Sequence, residues 1–346
     1  MDGMKKARGH ATISDVAAHA GVSTATVSRV AAGTGYVSDA TRMKVQKSIK
    51  TLKFQPSLIA QSLRRQNSAV IGLIVTDIQN PFYPELVRGI EDEVQKRGYS
   101  LILCNSAEDS AREESYLNYL ASHRADGIII CASGIIDRHR KKVESFNGHI
   151  VLVNVNQDDL KIPTVSSDDT KGGALAGLHL AKCGYSKIIY IGNAREKFDG
   201  SPRFKGAKSG AGLTPVHYFQ SEDNLISGSA VVSEILKKHK PPFGIIGHND
   251  LTAIGAMHAL TELGYKIPSE VGVVGYDNIA MSEFANPTLT TISQEQNRFG
   301  KESMEIMDQL FAGKKHFNNV TITPKLIMRN STMNLLNQKR GKSGKY

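Results

Sequence analysis

From Ala69 onward the chain alternates between two patterns, and that alternation limits the fold more than any other feature. Ala69-Val-Ile-Gly-Leu-Ile-Val75 is one continuous apolar run. A strand apolar on both faces must be covered on both, as strands of parallel sheets are. Similar runs recur at Ser100–Cys104, Gly127–Cys131, Ile150–Val153, Lys187–Ile191, Val216–Phe219, Phe243–Ile246 and Val271–Val274. Helical patterns separate them, for example at Tyr83–Arg97, Thr170–Lys182, Ser227–Lys238 and Leu251–Leu263. Strand and helix in alternation predict an α/β fold. The strands are too many for one comfortable sheet. The pattern therefore predicts two consecutive doubly wound parallel-sheet subdomains. The break between them is expected near Thr164–Asp168, after Pro163, with the segments around Gln294–Arg298 and Pro324–Lys325 crossing back.

The first 54 residues have a different texture. Thr12-Ile-Ser-Asp-Val-Ala-Ala-His-Ala-Gly-Val-Ser-Thr-Ala-Thr-Val-Ser-Arg-Val30 reads as two short helices about a Gly-Val turn. Thr12 with Asp15 forms a capping box, and Gly21 can take the positive φ that a tight turn needs. Ser23 caps the second helix, which turns Val27 and Val30 inward and Thr24, Ala25, Ser28 and Arg29 outward. This is a helix-turn-helix, whose partner is duplex DNA. A third helix after Ser38, carrying Val45, Ile49 and Leu52 on one face, closes a small headpiece. Phe54-Gln-Pro56 ends the pattern, and Ser57–Arg65 is a short potential helix that reads as a hinge.

Charge follows the same division. The chain carries +10 over 346 residues. Residues 1–66 hold eleven Lys/Arg against three acids, and the tail 336–346 holds four Lys/Arg and no acid, so the body is about −2. Basicity confined to the DNA-reading end is what phosphate neutralisation requires. The basic tail itself reads as a solvated, disordered terminus. Cys104, Cys131 and Cys183 are far apart and odd in number, so they are expected as reduced, buried thiols of a cytoplasmic protein, with no metal site and no cofactor. No apolar run is long enough to span a bilayer, and no secretion signal is expected ahead of the first helix.

Taken together, the motifs resemble the LacI/GalR family of transcriptional regulators over nearly the whole chain. The headpiece likeness lies in Thr12-Ile-Ser-Asp-Val-Ala, Ala20-Gly-Val-Ser and Ala25-Thr-Val-Ser-Arg-Val30, and the hinge likeness in Pro56 and Ala60-Gln-Ser-Leu63. In the core it lies in Ile71-Gly-Leu-Ile-Val, Asn80-Pro-Phe-Tyr83, Ala125-Asp-Gly-Ile128, Arg203-Phe-Lys-Gly206, Asn249-Asp-Leu-Thr-Ala-Ile-Gly-Ala256, Val274-Gly-Tyr-Asp-Asn278 and Thr290-Thr-Ile292. The chain departs from the family pattern at Ala31-Ala-Gly33, at Leu52-Lys-Phe-Gln55, at Pro56-Ser57 and in the charged stretch Arg195-Glu-Lys-Phe-Asp199.

The resemblance implies an all-α helix-turn-helix headpiece (1–54), a hinge (55–67) and a periplasmic-binding-protein-like effector core (68–335), with residues 336–346 as tail. Within the core, one subdomain is expected at about 68–166 and 296–324, the other at about 167–295 and 325–335. The implied activity is that of a homodimeric or higher-order DNA-binding repressor of a carbohydrate-use operon. Its effector would be a sugar, sugar acid or sugar phosphate.

On the DNA side, the resemblance makes Thr24 and Ala25 tuners of operator choice and Arg29 a reader of guanine, whose O6 and N7 an arginine can bond together. Thr12, Ser23, Thr26 and Ser28 are expected at backbone phosphates or as helix caps. Leu63 is implied as a minor-groove wedge, with Ala60 allowing two hinge helices to approach.

On the effector side, ligands of open parallel sheets bind beyond the carboxyl ends of strands. Asp77, Asn154 and Asn249 fall there, and Asp250 beside them reads as a helix N-cap; Asp77 serves equally as a loop cap. Asp277, Arg203 and Phe82 match ligand positions of the family. Tyr83 and Asp223 complete the set, while Lys197 and Asp199 read as a solvated loop. Arg, Asp, Asn and aromatic groups suit the hydroxyls and faces of a sugar. No catalytic constellation or phosphate-loop fingerprint is present, which speaks against an enzyme. A transport-type solute-binding module would lack the headpiece. A corepressor-dependent regulator answering to a phosphorylated protein is the remaining alternative.

Overall fold

A computed structural model describes residues 11–54, 68–131, 135–155, 161–193, 201–314 and 316–336. The chain divides into two compact units, Met1–Ala69 and Val70–Tyr346.

The first unit holds α1 (Ile13–Ala20), α2 (Thr24–Ala32) and α3 (Asp39–Thr51). The capping box forms: the Asp15 amide donates to Thr12 Oγ1 at 3.3 Å, and the Thr12 amide donates back to the Asp15 carboxylate at 2.8 Å. Gly21 sits at φ 67°, and the Val22 amide reaches the Ala17 carbonyl at 3.0 Å, so α1 closes on a left-handed glycine. Val16, Ala17, Val27, Val30 and Val45 make the core. These are small side chains, and they set three short helices close together. Ser38 occupies the N-cap position of α3, but its hydroxyl pairs with that of Thr41 instead of a backbone amide.

The second unit contains two six-stranded sheets. The first uses β1 (Val70–Val75), β2 (Ser100–Asn105), β3 (Gly127–Cys131), β4 (His149–Val153), β5 (Thr164–Ser167) and β11 (Val320–Ile322). Helices α4 (Phe82–Lys96), α5 (Ser110–Ser122) and α6 (Ile135–Glu144) connect them. The second uses β6 (Ile188–Asn193), β7 (Val216–Ser221), β8 (Phe243–Gly247), β9 (Val271–Asp277), β10 (Thr290–Ser293) and β12 (Lys325–Ile327). Its helices are α7 (Asp169–Lys182), α8 (Pro202–Gly210), α9 (Leu225–Ala230), α10 (Val232–Lys238), α11 (Asp250–Glu262) and α12 (Met281–Phe284). Helix α13 (Gln296–Phe311) follows β10 and packs with the first sheet's core.

Strand order is β11-β5-β4-β3-β1-β2 and β12-β10-β9-β8-β6-β7. The order reverses between β1 and β3 in one sheet and between β6 and β8 in the other. Those are the switch points where crevices open at the carboxyl ends. Val75 pairs with both Asn105 and Cys131, so three strands of the first sheet end level.

Several expectations need adjustment. The helix expected over Ser227–Lys238 is two helices meeting at Val231. Within the expected Thr164–Asp168 break, the crossing between subdomains follows Ser167, because β5 pairs with β4. The second sheet is not wholly parallel: β12 runs antiparallel to β10, with Ser293 opposite Lys325. β12 enters the second sheet directly from β11 of the first, with only two residues between them, and lies at the edge beside β10.

Cys104, Cys131 and Cys183 are buried free thiols, and burial pushes Cys104 up to about 11. Among the described residues no helix is long and apolar enough to cross a membrane, and no cluster of three or more His, Cys, Asp or Glu could hold a metal ion.

Candidate functional site

The headpiece presents an exposed face on α2. Thr24, Ala25 and Arg29 are exposed, while Val27 and Val30 face inward. Ser23 and Thr26 are engaged locally: Ser23 Oγ accepts the Thr26 amide at 3.1 Å, and their hydroxyls pair at 2.9 Å. Thr12 is likewise spent on its capping box, its hydroxyl donating to Asp15 at 2.8 Å. Ser28 is half-buried. The loop after α2 returns beside Arg29. Gly35 sits at φ 74°, and a Cβ there would lie 3.4 Å from Arg29 Cδ. A side-chain-free residue in that turn therefore lets the chain run against the arginine stem. Ala60 and Leu63 lie outside the described residues.

In the core, glycines position the key cation. A Cβ on Gly173 would lie 2.0 Å from the Arg203 carbonyl oxygen, and one on Gly206 would lie 2.0 Å from the Thr170 carbonyl oxygen. Helices α7 and α8 thus meet backbone to backbone, which only glycine permits. That contact brings Arg203, in the first turn of α8, to Asp169, in the first turn of α7. Arg203 Nε donates to Asp169 Oδ1 at 3.1 Å, and Nη1 donates to the His248 carbonyl at 2.8 Å. Its guanidinium lies 3.8 Å over the centre of the Tyr276 ring. The Tyr276 hydroxyl donates to the same Asp169 oxygen at 2.9 Å. Nη1 is also 3.9 Å from Asp277 Oδ1. Burial alone would lower the arginine's pKa, but its anionic neighbours, Asp169 first, hold it well above the ordinary value.

Asp277 ends β9 with φ 111°, a left-handed backbone at a non-glycine residue. The strain is held from several sides. Gln294 Nε2 donates to Asp277 Oδ1 at 2.7 Å, and Gln296 Nε2 donates to its carbonyl. Next door, Arg329 Nη2 donates to Asn278 Oδ1 at 2.8 Å, and the Ile279 amide donates to Asp250 Oδ2 at 2.8 Å. Burial pushes the Asp277 carboxyl up to about 7, against the opposing pull of Arg203 and Gln294.

The remaining expected residues divide. Asn154 accepts the Ser167 amide at 3.0 Å and donates to Gln294 Oε1 at 3.3 Å, linking β4 of one sheet to the segment that leaves β10 of the other. Asn249 caps α11 by accepting the Thr252 amide at 2.8 Å, and its Nδ2 reaches the Asp223 carbonyl at 3.4 Å. Asp223 accepts from Asn193 Nδ2 at 2.5 Å. The Tyr83 hydroxyl bonds Thr76 and feels the charges of Asp277 and Asp223, while burial pushes it up to about 12.

Two expected residues stay out of this polar network. Asp77 turns back on its own loop, accepting the Gln79 amide at 3.0 Å. Phe82 is buried in the apolar core with Leu86, Ile90, Leu251 and Ile279, edge-on to Tyr83. Asp250 is not the cap of α11; that place is taken by Asn249. Asp250 is instead wholly buried, accepts from the Thr291 hydroxyl at 2.5 Å and is held toward its protonated form by burial. Lys197 and Asp199 lie outside the described residues.

The sequence reading missed Asp169, Asn193, His248, Tyr276, Gln294 and Gln296 as members of this network. Asn193 had a usable signal, since it ends β6 as Asn154 follows β4. Gln294 and Gln296 had none, because they are polar residues in a connection. His248 is kept neutral by burial and by Arg203, and its Nδ1 lies 3.4 Å from the Tyr190 hydroxyl.

This arrangement can be set beside known proteins. Residues 68–330 match the family described as periplasmic binding proteins and sugar binding domain of LacI family. Residues 12–57 match the bacterial regulatory proteins, lacI family. An HTH-type transcriptional repressor PurR of Mannheimia succiniciproducens is 33% identical over 328 residues, covering 93% of this chain and 98% of that protein. A lac repressor dimer bound to operator and the anti-inducer ONPF superposes with TM-score 0.84 at 25% identity, over 94% of this chain and 100% of that one. A LacI family transcriptional regulator of Enterococcus faecalis, solved with bound ribose, superposes with TM-score 0.69 at 32% identity, over 77% of this chain and 99% of that one. The chain belongs to the LacI family of bacterial regulatory proteins: it is a DNA-binding repressor controlled by a small-molecule effector, and not an enzyme.

Proposed function

We propose that this repressor governs a carbohydrate-use operon, and that the effector is a carbohydrate held between the two sheets' carboxyl ends by Arg203, Asp277, Asn154, Asn249, Asp223 and Tyr83. The observation that carries this is the network around Asp277. It draws a buried arginine, two further carboxylates, two carboxamides and a tyrosine hydroxyl from both subdomains to one place. Alternating donors and acceptors of this kind match vicinal hydroxyls. The ribose found with the Enterococcus faecalis relative supports the same class.

Operator reading falls to Arg29, Thr24 and Ala25 on the exposed face of α2, with Thr12, Ser23, Thr26 and Ser28 near phosphates. In this reading residues 1–54 are the headpiece, 55–67 the hinge carrying Ala60 and the Leu63 wedge, and 68–335 the core. The protein acts in the cytoplasm as a homodimer. Effector binding shifts the core between two states and so changes operator affinity, a coupling that must be reciprocal.

The test is a thermal-shift screen of the full-length protein with pentoses, hexoses and disaccharides, followed by operator retention with each hit. A ligand that binds the folded protein raises its melting temperature by mass action. A carbohydrate that does so and changes operator binding is the expected result. Stabilisation by a planar nitrogen base, with no carbohydrate active, would overturn the carbohydrate assignment.

A further inference from the structure

The groups facing Arg203 are Asp169, Tyr276, Asp277, Tyr190 and His248. Asp169 is the nearest anion, at 3.1 Å, and the Tyr276 hydroxyl pins the same carboxylate oxygen in place. The guanidinium is stacked on one face by Tyr276 and spends Nη1 on a backbone carbonyl. Its charge is therefore matched inside the protein, while it keeps N–H groups that can still donate. Asp277 stands 3.9 Å away and is itself buried, and Asp223 lies close enough for its charge to raise the pKa of Asp277.

We propose that Asp169 sets the charge of the effector: by neutralising Arg203 it confines the site to uncharged, hydroxyl-rich ligands and disfavours their acidic or phosphorylated counterparts. This inference rests on the effector cleft proposed above. A sugar hydroxyl can accept from the guanidinium and donate to Asp277 in the same contact, so each protein group keeps a partner. A carboxylate or phosphate brings acceptors only. It would stand against Asp223 and the ionised form of Asp277 in a desolvated place, and like charges set together there are costly. Discrimination then comes from a built-in repulsion as well as from attraction.

The experiment is calorimetric titration of the full-length protein with a panel of neutral pentoses, hexoses and disaccharides, each paired with its aldonate or its terminal phosphate. The wild-type protein should prefer the neutral member of the best pair by about tenfold or more, a difference of about 1.4 kcal/mol. Asp169→Asn removes the nearest of the anions that balance Arg203 and should narrow that preference about tenfold or reverse it. Asp169→Glu keeps the charge and should keep the preference. Equal or tighter binding of the acidic member by wild type would overturn the inference and leave the carbohydrate assignment standing. So would an unchanged preference in an Asp169→Asn protein that melts normally. The wild-type comparison needs no variant and can overturn the inference even if Asp169→Asn does not fold, and Asp169→Glu then carries the assignment to this carboxylate. Failure of the whole panel to bind would remove the proposed function, and this inference with it.

Discussion

Glu85 and Ala280 join the two subdomains of the core: Glu85 Oε1, in the first turn of α4, accepts the Ala280 amide at 3.2 Å. Ala280 lies three residues after Asp277. Along this turn the Asn278 side chain is held by Arg329, the Ile279 amide by Asp250, and the Ala280 amide by the opposite subdomain. A ligand that moves Asp277 therefore pulls on a contact across the cleft. Phe82, Leu251 and Ile279 supply apolar packing beside it.

Glu85→Ala should leave the fold intact and weaken effector binding by roughly three- to tenfold, the worth of one hydrogen bond. Calorimetry on the variant, with a melting curve as control, checks this. Unchanged affinity and unchanged operator release would mean that the contact does not take part in coupling.

Asp277 should make effector binding depend on pH. Its carboxyl sits at about 7 in the folded protein and at about 4 in an unfolded chain. Between those values the folded state holds more protons. The group's contribution to stability is thus complete below about pH 4 and is lost as pH rises through 7. Asp277→Asn should accordingly raise the melting temperature of the ligand-free protein more at pH 8 than at pH 5. A hydroxyl-bearing effector favours the ionised carboxylate as acceptor, so affinity should rise from pH 6 to pH 8 with release of a proton. Titrations in two buffers of different ionisation enthalpy would reveal that proton; a buffer-independent heat would argue against it.

Gly173→Ala should act at a distance on Arg203. The added methyl would lie 2.0 Å from the Arg203 carbonyl oxygen, so α7 and α8 must part. Overpacking of this kind costs about 1–3 kcal/mol, and the displaced arginine should lose effector affinity while the headpiece still binds operator. Thermal melting and gel retardation on the same preparation separate the two effects. Normal effector affinity would show that the close helix contact does not position Arg203.

Arg29→Ala should lower specific operator affinity by about 1–3 kcal/mol and spare weak non-specific binding. Its exposure on α2 beside Thr24 and Ala25 is the basis for this expectation. Parallel titration of operator and random duplex at fixed salt is the measurement. An equal loss on both would assign Arg29 to phosphates.

Much of this architecture was legible in the residue pattern. The runs at Gly127–Cys131 and Phe243–Ile246 announced buried parallel strands, and Thr12, Gly21 and Ser23 announced the start, turn and restart of the helix-turn-helix. Such features are local. A capping box or an apolar strand is specified within a few residues, so the sequence alone determined the fold class, the eight strands it named and the exposed face of α2.

The composition of the cleft was decided only by tertiary structure. Asp169 and Arg203 meet because α7 and α8 touch through glycines, a contact between segments about thirty residues apart, and Tyr276 reaches them from β9 over Gly172. Gln294 meets both Asn154 and Asp277 because the chain crosses between the sheets at that point. Phe82 turned inward and Asp77 back on its own loop, where burial and a nearby amide offered each a better partner. Side chains at strand ends choose among partners that only the packed subdomains supply. One-dimensional spacing could therefore name Arg203 and Asp277, yet it could not reveal that Asp169 neutralises the first and Gln294 holds the second.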